Sequence, residues 1–84
     1  MNRKRRETLE RVFADRTLAN LPWRDIEALF RALGAVISEG KGSRVRVELN
    51  DRRATFHRPH PSPLTDRGAL KAVRTFLENA GVRP

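Results

Sequence analysis

The string His57, Arg58, Pro59, His60, Pro61 holds both histidines of the chain and ends a run studded with arginines. Imidazole can take and give a proton near neutral pH, and guanidinium presents a fixed fork of donors to phosphate oxygens. Cutting an RNA strand without a metal needs a base for the 2′-OH proton, an acid for the leaving 5′ oxygen, and cations for the phosphoryl oxygens between them. His57 and His60 are the candidates for acid and base; Arg44, Arg46, Arg53, Arg58 and Lys41 are the candidates for phosphate contacts. The plainer reading of either histidine is a turn cap or a residue packed at a sheet edge. No cysteine and no neighbouring carboxylate cluster completes a zinc ligand set, so neither metal nor cofactor is expected. Gly40, Lys41, Gly42 and Ser43 lack the spacing and the following helix of a phosphate-binding loop, and the chain has no nucleophile elbow or paired carboxylates.

Charge points the same way as the histidines. Eighteen Lys and Arg against ten Asp and Glu give +8, all but three of the basic residues being arginine. Residues 40–60 alone carry six basic and two acidic side chains, so the excess gathers around the candidate site. A polyanion is the first partner to consider, and an acidic protein surface the second. Eighty-four residues make one small domain with one thin core. The lack of cysteine removes disulfide scaffolds and zinc fingers and suits a reducing cytoplasm. No apolar run approaches the ~18 residues that a membrane-spanning helix needs, so no membrane partner is expected.

The elements that must position these groups can be read from periodicity. Leu9, Val12 and Phe13 predict a short amphipathic helix over 4–15, with the basic residues 3–6 at its start. Pro22 opens a second helix whose stripe is Trp23, Ile26, Leu29, Phe30 and Leu33, stopped by Gly34. Ala35, Val36 and Ile37 suit a short strand that Gly40, Lys41 and Gly42 turn back. From Ser43 to Leu49 the period becomes two, with Val45, Val47 and Leu49 on one face and Arg44, Arg46 and Glu48 on the other. Asn50 and Asp51 form a two-residue turn, and residues 52–58 alternate again with Ala54 and Phe56 inward. That turn sets Arg44 opposite His57, Arg46 opposite Thr55 and Glu48 opposite Arg53 on the outer face; a slip of one residue would bury Arg46 and expose Phe56. Alternating prolines make 58–63 an extended connector. Thr65 or Asp66 then caps a last helix with Leu70, Val73, Phe76 and Leu77 inward and Gly81 at its end. The order predicts an α+β fold, a three-stranded antiparallel sheet with helices on one face and an arginine-rich face left open. Trp23 and the phenylalanines, lying on these stripes, are expected in the core.

The run from Trp23 to Gly81 resembles the HicA toxins, small RNA-cleaving partners of HicB antitoxins. The resemblance rests on the helix ending at Leu33 and Gly34, Gly42 and Ser43 opening a strand, the hairpin, His60 and Pro61 after the last strand, and a closing helix ending at Ala80 and Gly81. It implies a double-stranded-RNA-binding-domain-like fold over residues 21–84, with residues 1–20 an extension that carries a short helix. It also implies a type II toxin that cleaves mRNA as an interferase, and a HicB-like antitoxin partner. One position departs: the family places its catalytic histidine directly after the Gly-Ser pair, where this chain has Arg44. Either the acid–base role has moved, to His57 across the hairpin or to His60, which matches the family's His-Pro, or the chain is a non-catalytic RNA-binding module of the same fold. A third reading, a domain whose basic face only docks an acidic partner, stays open.

Overall fold

A computed structural model describes residues 1–14 and 21–84; the last residue of the helix expected over 4–15 lies outside them. Helix α1 spans Arg3–Val12, with the Asn2 side chain accepting the Arg5 N–H at 2.8 Å as its N-cap. Its first turn carries Arg3, Lys4, Arg5 and Arg6 where the helix dipole favours anions, and ten residues are marginal as a helix in isolation. Tertiary contacts compensate. Leu9 and Val12 are buried in the main core, Lys4 pairs with Asp25, and Arg74 donates to the α1-terminal carbonyls of Val12 (2.9 Å) and Ala14 (2.8 Å). Within the segment expected as an extension, Leu9, Val12 and Phe13 therefore pack into the same core as the rest.

Strand β1 (Leu21–Pro22) leads into α2 (Trp23–Ala32), so Pro22 is the cap residue rather than the first helical position. Helix α2 closes on Gly34 at φ +91°, a left-handed residue that lets Gly34 and Ala35 donate back to Arg31 and Phe30. Strands β2 (Val36–Glu39), β3 (Arg44–Leu49) and β4 (Arg52–His57) form an antiparallel sheet in the order β2-β3-β4. β2 starts one residue later and runs two further than the expected strand at Ala35–Ile37, because Ser38 and Glu39 stay in register opposite Arg46 and Val45. The hairpin register matches the expectation: Arg44 opposite His57, Val45 opposite Phe56, Arg46 opposite Thr55, Val47 opposite Ala54 and Glu48 opposite Arg53. Asn50 (φ +50°) and Asp51 (φ +66°) supply the two left-handed residues that a tight turn matching strand twist demands. β5 (Leu64–Thr65) pairs with β1, Leu21 opposite Thr65 and Pro22 opposite Leu64. Helix α3 (Arg67–Asn79) follows, capped by the Asp66 carboxylate on the Ala69 N–H at 2.8 Å.

The inner sheet face and the helices share one core. Val45, Val47, Leu49 and Phe56 meet Ile26, Leu29 and Phe30 of α2 and Leu70, Val73, Phe76 and Leu77 of α3, all buried. At its centre Phe30, Phe56 and Phe76 sit with ring centroids 5.7–5.9 Å apart, and Trp23 lies 5.7 Å from Phe56. Tilted, edge-on and offset arrangements of this kind suit the ring quadrupoles. The aromatic residues thus hold the sheet to the helices, and the outer sheet face is left exposed.

Candidate nucleic-acid interface

Three cross-strand rows make the open face. Val36, Glu48 and Arg53 form the first, Ser38, Arg46 and Thr55 the second, and Arg44 and His57 the third, at the end where β4 leaves the sheet. All eight side chains are exposed. Between the first two rows lies a shallow depression of about 470 Å³ lined by Ser38, Arg46, Arg53 and Thr55 among others. Arg53 leans on Glu48 at 3.5 Å with both side chains largely in solvent, a pair that an incoming phosphate can displace at little cost. Lys41 is in the β2–β3 turn, its carbonyl accepting the Arg44 N–H at 3.2 Å, so the residue stands at the same end of the sheet as Arg44 and His57. That turn is tight: a Cβ on Gly40 would come within 3.0 Å of the Arg44 Cβ.

Arg58 behaves differently from the other candidate cations. Strand alternation turns it to the helix side, where Nε donates to Glu27 Oε2 at 2.7 Å and NH2 to Glu27 Oε1 at 3.1 Å. NH1 and NH2 also donate to the two Glu39 oxygens at 2.6 and 2.8 Å. A guanidinium shared between two carboxylates has no free fork for phosphate. Its own proton is held more firmly than usual by the bonds to Glu39 and Glu27. Burial pushes the Glu27 carboxyl up, but the bonds from Arg58 and Trp23, with the charges of Arg58 and Arg31, outweigh it and hold the group below the ordinary glutamate value. Hydrogen bonding to Arg58 likewise keeps Glu39 low. Trp23 Nε1–H donates to Glu27 Oε2, so one carboxylate joins α2, the sheet edge and the residue between the two histidines.

Beyond Arg58 the chain passes Pro59 and His60, with a cis peptide between His60 and Pro61. His60 is exposed and lines a small depression of about 380 Å³ with Pro59, Ser62, Leu64 and Asp66. The fold therefore brings His57 beside Arg44 on the sheet, and sets His60 in the connector past the sheet edge. Among the described residues no group of three or more His, Cys, Asp or Glu could hold a metal ion.

Sequence reasoning passed over Glu27 and Glu39. A signal for Glu27 existed, since it falls on the same stripe as Trp23, Ile26 and Phe30, a charged residue on a buried face that must find a partner. Nothing local marked Glu39.

A three-stranded antiparallel sheet, helices on one face and exposed arginines with a histidine on the other define a small α+β domain with a basic open face. Comparison with protein families matches residues 23–82 to the HicA toxin of bacterial toxin–antitoxin systems. The chain belongs to the HicA toxin family, which gives it the role of a toxin and implies an antitoxin partner. No curated protein and no solved structure matches it. Among the described residues no helix is long and apolar enough to cross a membrane.

Proposed function

We propose that the open sheet face binds RNA, and that the chain cleaves mRNA in the cytoplasm by metal-independent acid–base chemistry until a HicB-like antitoxin covers that face. The observation that carries this reading is the exposed pairing of Arg44 with His57, flanked by Arg46, Arg53 and Lys41. The arginines and Lys41 hold phosphoryl oxygens. His57 or His60 takes the 2′-OH proton as the 2′ oxygen attacks phosphorus, and the resulting imidazolium returns a proton, directly or through water, to the departing 5′ oxygen. The products are a 2′,3′-cyclic phosphate and a 5′-hydroxyl. Arg58, locked to Glu27 and Glu39, serves to hold the backbone from His57 to His60 rather than to bind substrate.

The test is cleavage of a labelled RNA in the presence of a metal chelator. His57→Ala and His60→Ala should each retain RNA affinity within about threefold, a change of ~0.7 kcal/mol. The substitution that removes the acid–base imidazole should lower cleavage by about 100-fold or more, and loss in His57→Ala alone assigns the chemistry to the sheet-face histidine. Loss in His60→Ala alone assigns the chemistry to the histidine that matches the family. A second reading is favoured by Arg44 itself, which stands where the family resemblance places the catalytic histidine: a toxin that binds RNA without cutting it. A wild-type protein that binds RNA but leaves it intact with and without chelator establishes that reading instead.

A further inference from the structure

A second groove lies on the helix side of the connector, separate from the open sheet face. It encloses about 630 Å³ between the α2 N-terminus and the β1–β5 ladder. Its walls include Pro22, Pro59, Pro63 and Leu64, and Arg24 and Arg31 stand at the rim. Leu64 is 41% exposed, one of only three large apolar side chains left open among the described residues. Pro59 and Leu64 also line the depression that holds His60, so the two hollows adjoin along the connector.

We propose that this groove takes one base of a bound RNA strand, the neighbour of the nucleotide whose phosphate lies at His60. The inference rests on the RNA-binding reading above and adds a subsite to it. Three observations select a base over a peptide. The walls shared with the His60 depression put the groove beside any strand that reaches that histidine. The prolines offer flat aliphatic faces and no N–H, so they suit a stacked ring and cannot pair with an added peptide strand. Arg24 is exposed with no carboxylate partner among the described residues, and Arg31, 61% exposed, makes a loose 3.5 Å contact to Glu27, which leaves cations beside the groove for the adjoining phosphates. Trp23 forms part of the wall, its N–H fixed by Glu27, and it is the one tryptophan of the chain.

Titration of the full chain with short RNA tetranucleotides, followed by Trp23 emission and by anisotropy of a labelled strand, tests the subsite. A saturable emission change with wild-type protein is expected. Leu64→Glu and Arg24→Glu should weaken tetranucleotide binding by roughly tenfold, the scale of one stacked base, and abolish the emission change. Both side chains are exposed, so the variants should keep the wild-type circular dichroism and melting midpoint, and each serves if the other fails to fold. Arg46→Glu, on the open face, should weaken binding but leave the emission change at saturation intact. RNA that binds, is weakened by Arg46→Glu, yet leaves Trp23 silent and Leu64→Glu unaffected refutes the groove alone. RNA that does not bind wild-type protein refutes the sheet reading and the groove with it. Loss of antitoxin binding in Leu64→Glu with RNA affinity untouched makes the groove a protein site and overturns the proposal.

Discussion

Replacing Glu27 by Gln removes a charge and one acceptor from the only described carboxylate that joins α2 to the backbone between the histidines. Glu27 is 6% exposed and accepts from Trp23 Nε1, from Arg58 Nε and NH2, and from Arg31 at 3.5 Å. Glutamine keeps one oxygen for Trp23 and Arg58 Nε, but its amide nitrogen then faces the Arg58 NH2 group, donor against donor. One charge-assisted bond is lost outright, about 1.5–3 kcal/mol. The ~3–5 kcal/mol of a fully buried broken pair does not apply in full, because Arg58 is 32% exposed and retains Glu39. The expected loss is about 2–3 kcal/mol near neutral pH, or roughly 10–20 °C in melting midpoint for a domain of this size. The pH dependence follows from the direction of the shift. Glu27 is held below its unfolded value, so its contribution is complete above the unfolded pKa of about 4.3 and is lost as pH falls through the folded value. Glutamine does not titrate there. Urea unfolding of both proteins from pH 7 to pH 3 should give a constant gap above about pH 5.5 that narrows below about pH 4. A gap under ~0.5 kcal/mol at pH 7, or one that stays constant to pH 3, refutes the account of Glu27 as a charged anchor.

On the proposed function Arg44 and Arg46 contact phosphate rather than bases, so Arg44→Glu and Arg46→Glu should weaken binding to all RNAs alike. Each should also lower the log–log salt slope by about 0.7 on single strands, measured by anisotropy between 50 and 200 mM salt; a slope unchanged by either removes that arginine from the interface. Antitoxin and RNA should compete for Arg44, Arg46 and Arg53, so a stable ternary complex on gel filtration through this face would contradict a shared surface. Asn50→Gly keeps the left-handed turn but loses the 2.8 Å bond from Asn50 Nδ2 to the Ala80 carbonyl, and should cost about 1 kcal/mol; Asn50→Ala adds backbone strain and should cost more, by urea unfolding. Arg74→Ala removes the donors that close α1 on Val12 and Ala14, and should raise amide exchange in Arg3–Val12 before that in β3 or β4, with uniform exchange across the domain as the contrary result.

Local pattern was enough for much of the molecule. Period-two alternation from Arg44 to Leu49 and from Arg52 to His57, with Asn50 and Asp51 between, determined the hairpin register, because one face had to be apolar and the turn admits two left-handed residues. From that register alone Arg44, Arg46, Arg53 and His57 fall on one exposed surface. The stripes on α2 and α3 and the glycines that end them are equally local, set by side chains a turn or two apart. The role of Arg58 was decided elsewhere. In sequence it is one more arginine beside two histidines; its partners lie 31 residues back on α2 and 19 back on β2, and only the packing of helix against sheet brings two carboxylates onto one guanidinium. The β1–β5 ladder has the same origin: two residues carry no periodicity, and Leu21 meets Thr65 only once α2 and the connector lie side by side. Charge and alternation are properties of neighbours along the chain, whereas ion-pair networks and grooves are properties of neighbours in space, and the tertiary fold alone determines which arginines face solvent with an open fork and which are already spent on a carboxylate.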